Sequence, residues 1–85
     1  MKEIKYVITD SQGIHARPAG LLVKECSKYA SEITIKKGAN SGNAKRIFSI
    51  MALAAKKNEE ITITADGPDE DEAIKAIEVF LKENL

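Results

Sequence analysis

Near the start of the chain, Ile4, Tyr6 and Ile8 alternate with Lys5, Val7 and Thr9. A period of two sends alternate side chains to opposite faces, so this stretch predicts a strand with one strongly apolar side. After the loop Asp10-Ser11-Gln12-Gly13 the period lengthens. Ala19, Leu22, Val23, Cys26 and Ala30 recur at helical spacing, with Lys24, Glu25 and Lys28 off the stripe. That predicts an amphipathic helix from about residue 16. Pro18 belongs in its first turn, where a missing N–H breaks no intrahelical bond. Ile33 and Ile35 alternate with Thr34 and Lys36, a second strand, and Lys37-Gly38-Ala39-Asn40 reads as a turn. Ser41-Gly42-Asn43-Ala44 is poor in strand formers, although its place in the chain invites a third strand.

Ile47, Ile50, Met51 and Ala54 make a short helical stripe, closed by Lys56-Lys57-Asn58. Lysines near a helix C-terminus complement its dipole. Ile61, Ile63 and Ala65 alternate with Thr62 and Thr64, a clear strand. Asp66-Gly67-Pro68 turns the chain. Asp69 and Glu72 stand at capping-box spacing, and acidic residues crowd that first turn. Ala73, Ile74, Ile77, Phe80 and Leu81 form the stripe of a final helix. The order is β-α-β-β-α-β-α. Each strand has one apolar and one wetter face, which predicts an α+β fold with a mostly antiparallel sheet, helices on one side and solvent on the other.

Composition narrows the picture. With 85 residues, 44% hydrophobic and 31% charged, the chain fits one small globular domain over residues 1–85. Its single cysteine, Cys26, cannot form an internal disulfide and lies on an apolar stripe, as a small core residue would. That cysteine usage fits a reducing compartment. No apolar run is long enough to span a bilayer, and Met1-Lys2-Glu3 leads into no signal-peptide core. A cytoplasmic protein without membrane insertion is therefore expected. One His and one Cys are too few for a usual zinc site, so no metal and no cofactor are expected. The acidic run Asp66–Glu72 is accounted for by turn and helix-start chemistry.

The formal net charge is zero, which argues against a general nucleic-acid binder. The zero hides a split: residues 1–57 carry +7 and residues 58–85 carry −7. The basic part holds the most informative stretch, Gly13-Ile14-His15-Ala16-Arg17-Pro18-Ala19-Gly20. It sets the only histidine just before a helix. The first backbone N–H groups of a helix lack internal acceptors and carry partial positive charge, so they favour phosphate or carboxylate. Arg17 adds a permanent, planar cation that matches phosphate oxygens. A neutral imidazole beside them is a nucleophile near physiological pH. Composition and spacing reach an anion site next to His15. They leave open whether His15 caps the helix, lies on the surface or reacts.

His15-Ala16-Arg17-Pro18-Ala19, preceded by Gly13-Ile14, resembles the active-site signature of the HPr family, the histidine-containing phosphocarriers of the bacterial sugar phosphotransferase system. The resemblance covers essentially the whole chain. It extends to Asn43-Ala44-Lys45-Arg46-Ile47-Phe48-Ser49-Ile50-Met51-Ala52-Leu53, to Glu60-Ile61-Thr62-Ile63 and to Ala65-Asp66-Gly67-Pro68-Asp69-Glu70. It implies an open-faced β-sandwich, four antiparallel strands with three helices on one face. It implies a phosphoryl carrier rather than a free-standing enzyme. His15 would take the group on Nδ1 from phospho-enzyme I and pass it to IIA domains of sugar transporters. Arg17 and the N–H groups of Ala16 and Arg17 would hold the phosphoryl oxygens. A regulatory binding module of the same family, signalling to other proteins by its phosphorylation state, is the alternative. A monomer is expected. Partners of the family dock on the first two helices, which marks Gly20, Leu21, Lys24, Ile47, Phe48 and Met51, with Lys45 and Arg46 adding positive charge. Phe48 lies at the margin of its stripe, so exposure and burial in the core are both open.

Three positions depart from the family pattern. Arg46 stands where many members carry a regulatory serine, so no regulatory serine is expected here. The arginine is either neutral or a docking cation. Gly42 replaces a common apolar strand residue, which predicts a weakly formed third strand. Ala54 replaces a frequent glycine, and it would be strained if the loop needs a positive φ.

Overall fold

The computed structural model describes residues 1–85. Its elements are β1 (Lys2–Val7), α1 (Ala16–Cys26), β2 (Glu32–Lys37), β3 (Asn40–Asn43), α2 (Ile47–Ala52), β4 (Glu60–Asp66) and α3 (Glu70–Asn84). The four strands form one sheet in the order β1-β4-β2-β3, antiparallel throughout. The predicted element order and the open-faced layering both hold. Register explains the two faces. Ile4 lies opposite Ile63, Ile63 opposite Ile35, and Ile35 opposite Gly42, an apolar row across the sheet. One residue along, Glu3, Thr64, Thr34 and Asn43 form the adjacent row, which points the other way and is polar.

The helices cover the apolar rows. Ile8, Leu22, Ile33, Ile35, Ile50, Ile61, Ile63, Ile77 and Leu81 are fully buried in one core. Each such side chain contributes about 1.5–3 kcal/mol relative to exposure. Cys26 is among them, and burial pushes its thiol up to about 12. At that value it is an inert core residue at neutral pH.

The third strand is not weak. All four of its residues pair with β2. Gly42 is required there for a steric reason that strand propensity does not capture. A Cβ at Gly42 would lie 2.9 Å from the Ser49 carbonyl oxygen. Its absence lets α2 seat directly on the strand.

The start of α3 differs from a capping box. Asp69 is the N-cap residue, but its side chain does not cap its own helix. Its carboxylate accepts the Ala30 N–H at 2.8 Å, the Ser31 N–H at 2.9 Å and the Ser31 hydroxyl. The Ser31 hydroxyl and then the Ala30 N–H hold this carboxyl below the ordinary aspartate value. Glu70, not Glu72, reaches back, accepting the Gly67 N–H at 3.2 Å. The Asp69 bonds fasten the α1–β2 connection to the head of α3.

Candidate functional site

His15 is the N-cap residue of α1, in extended conformation (φ −96°, ψ −176°). Its side chain makes no capping bond and has no hydrogen-bond partner. It is half-buried. The Ala19 N–H donates to the His15 carbonyl at 3.0 Å and closes the first turn. The Ala16 and Arg17 N–H groups find no acceptor in the protein. Pro18, third in the helix and buried, supplies no N–H at all. The end of α1 therefore presents two free donors and no acidic residue in its first turn. Arg17 is exposed and forms no ion pair.

The loop before His15 is fixed from below. Gly13 has φ +66°, a region that disfavours side chains, and a Cβ there would lie 2.8 Å from Lys56 Cα. The Ile14 N–H donates to the Ala55 carbonyl at 2.9 Å. The supporting loop is itself unusual, because Ala54 adopts φ +50°. Alanine does sit where a left-handed residue is needed, and the backbone there is strained. These supports are mostly backbone atoms, so the sequence signals them only through Gly13 and through Ala54, where relatives often carry glycine.

A shallow cleft of about 280 Å³ opens beside the site, lined by Asp10, His15, Arg17, Pro18, Leu21, Glu83 and Asn84. The Leu85 main-chain oxygen accepts the Thr9 N–H at 2.6 Å and the Asp10 N–H at 2.9 Å, which ties the end of α3 to the same loop. Sequence patterning did not join Glu83 and Asn84 to His15, since they lie some seventy residues apart along the chain.

The predicted docking residues fall on α1, α2 and the turn before α2. Phe48 is 83% exposed, Leu21 42% and Met51 38%. Phe48 thus lies outside the core. Gly20 faces Ile47, whose Cδ1 would be 3.7 Å from an added Cβ, an ordinary packing distance at the meeting of the two helices. Ile47 is half-buried and Lys24 is exposed. Arg46 is exposed at the N-cap of α2, with no capping bond and no carboxylate partner. Lys45 is placed differently. Its ammonium donates to the Tyr29 carbonyl at 2.7 Å, which engages the cation within the fold.

No helix is long and apolar enough to cross a membrane. Residues 2–83 match a family model described as the PTS HPr component phosphorylation site. The phosphocarrier protein HPr of Mycoplasma capricolum subsp. capricolum is 52% identical over 77 residues, covering 91% of this chain and 86% of that protein. A solved structure of a mycoplasma histidine-containing phosphocarrier protein superposes with a TM-score of 0.94 at 48% identity, covering 96% of this chain and 93% of that one. An HPr dimer from Thermoanaerobacter tengcongensis matches with a TM-score of 0.78 at 40% identity, covering 98% of this chain and 95% of that one. With the family model spanning nearly the whole chain and the same fold in its relatives, this protein belongs to the HPr family of bacterial phosphocarriers.

Proposed function

We propose that His15 accepts a phosphoryl group from phospho-enzyme I and donates it to IIA domains of sugar transporters. The observation that carries this reading is the head of α1: an imidazole with no partner of its own, beside two free N–H donors and an unpaired guanidinium. The His15 Nδ1 lone pair attacks phosphorus. The N–P bond forms as the bond from phosphorus to the donor breaks, and the donor keeps that electron pair. The negative charge that arrives meets the Ala16 and Arg17 N–H groups and the Arg17 side chain, already in place. Phosphoryl transfer needs mostly positioning and charge stabilisation, which this site offers. Nothing in the cycle is consumed from the protein, which makes it a carrier and not a free-standing enzyme.

Docking is assigned to α1 and α2. Leu21, Phe48 and Met51 supply exposed apolar contact around Gly20 and Ile47. Arg17, Lys24 and Arg46 ring it with cations that no carboxylate of this chain neutralises. Such a face fits acidic protein partners. Lys45 contributes by fixing the turn before α2. We assign the protein to the cytoplasm and to a monomeric state; the HPr dimer among its solved relatives makes the second assignment worth a sedimentation measurement.

The test is incubation with enzyme I, magnesium and phosphoenolpyruvate. One acid-labile, base-stable phosphate per chain is expected, and His15→Ala should abolish it. No transfer from a competent enzyme I would overturn the proposal.

A further inference from the structure

The loop beneath His15 carries strain, and something must hold it. Ala54 sits at φ +50°, yet the next residue supplies the carbonyl that fixes Ile14, and Lys56 packs against Gly13. Two side chains grip this turn, Lys37 from β2 and Glu59 from the end of the same loop. The Lys37 ammonium, at the end of β2, donates to the Ala54 carbonyl at 3.2 Å. It also pairs with Glu59 at 3.3 Å. The same Glu59 oxygen, Oε1, accepts the Lys56 N–H at 2.7 Å. One carboxylate and one ammonium thus bind both sides of the Ala54–Lys56 turn.

We propose that Lys37 and Glu59 are positioning residues for His15: together they clamp the strained Ala54–Lys56 turn, whose backbone holds Gly13 and Ile14 in place. The inference rests on His15 being the phosphoryl acceptor. The pair touches neither His15 nor the N–H donors of α1. It acts through the Ile14 N–H bond to Ala55 and through the close seat of Gly13. With the clamp removed, the turn opens more often and the backbone that carries the imidazole is held less firmly at the head of α1. Lys56 N–H and Lys37 make the Glu59 carboxylate easier to ionise than an ordinary glutamate, which keeps the clamp charged at neutral pH.

The experiment uses Lys37→Met and Glu59→Met, which keep apolar length and lose the charges, with Lys37→Arg as the conservative variant. Amide hydrogen exchange is measured at Ile14 and at the core residues Ile61 and Ile63. His15 phosphorylation is measured with phosphoramidate, a small donor that needs no protein docking. In that reaction the imidazole nitrogen forms the new P–N bond while the P–N bond of the donor breaks and ammonia leaves. Both Met variants should exchange Ile14 about three- to fivefold faster, the range of a partly exposed charge pair, with Ile61 and Ile63 unchanged. Both should take the phosphoryl group about two- to threefold more slowly. Lys37→Arg should behave as the unaltered protein. Unchanged Ile14 exchange, equal acceleration at Ile14 and the core, or a Lys37→Arg variant as impaired as Lys37→Met would each overturn the clamp. Faster Ile14 exchange with unchanged phosphorylation would overturn its positioning role. If the unaltered protein takes no phosphoryl group, the acceptor assignment fails and the positioning role fails with it, while the exchange data still decide whether the clamp exists.

Discussion

The heads of α1 and α3 are two helix N-termini under the same electrostatic rule, and the chain treats them in opposite ways. At α3 the N-cap is an aspartate and the first turn holds Glu70, Asp71 and Glu72. Its charges are committed inward: Asp69 holds Ala30 and Ser31, and Glu70 holds Gly67 and the N-terminal ammonium at 2.8 Å. At α1 the N-cap is a histidine that caps nothing, the first turn has no acid, and the one charge in that turn is the unpaired Arg17. One end meets its positive potential with acids of this chain. The other leaves it open for an anion from outside. A helix end left unsatisfied costs stability, and the proposed phosphoryl site at α1 gives the chain a reason to bear that cost.

Making the head of α1 resemble that of α3 breaks the comparison most severely. His15→Asp should abolish phosphoryl acceptance while stabilising the fold by about 1 kcal/mol, since aspartate is a preferred N-cap. Thermal unfolding alongside the phosphate assay checks both. Arg17→Glu should have the next largest effect. It should lower the transfer rate about a hundredfold, comparable to loss of one charge-stabilising donor. The helix itself should gain slightly from an acid in its first turn. Steady-state transfer against circular dichroism separates these outcomes.

The opposite change, at α3, should touch only stability. Asp69 has a folded value below its unfolded one. Its contribution is therefore fully present above the unfolded aspartate value and is lost as pH falls through the folded one. Asp69→Asn should destabilise the protein at neutral pH and flatten the acid limb of a stability-against-pH curve, leaving His15 phosphorylation intact. Urea titrations across the acidic range give the answer.

Ala54→Gly should stabilise by about 0.5–1 kcal/mol, because glycine adopts the left-handed conformation without the cost that alanine bears. Arg46→Ser should stabilise α2 by a similar amount, about 0.5–1 kcal/mol, by giving it a preferred N-cap and removing a cation from its start. It should also weaken docking to enzyme I and reduce the salt dependence of that docking. A gain in affinity would remove Arg46 from the docking face.

The strands and helices were legible because burial enforces their period. Ile4, Ile63 and Ile35 share a row, so the alternation of each strand survives in the sheet. The third strand was underrated for a physical reason. Gly42 reads as a poor strand former, while its actual task is to admit Ser49 of α2, a contact that no local pattern encodes. The same limit applies at the site. His15, Arg17 and Pro18 announce a helix head by themselves, and Phe48 could be suspected from the edge of its stripe. Long-range supports were invisible. Asp69 looked like a local cap and instead reaches Ser31. Lys45 looked like a free docking charge and instead holds the Tyr29 carbonyl. In each case a polar side chain had several possible partners, and tertiary placement chose the distant one.

The central claim is that the open head of α1 receives the phosphoryl group. A ¹H–¹⁵N correlation spectrum before and after phosphorylation by enzyme I, magnesium and phosphoenolpyruvate tests it most directly. The His15 ring signals should change, and the Ala16 and Arg17 amide protons should make the largest downfield moves, as both donors engage the new oxygens. Phosphorylation that left these two amides unmoved, or label carried by any residue other than His15, would contradict it.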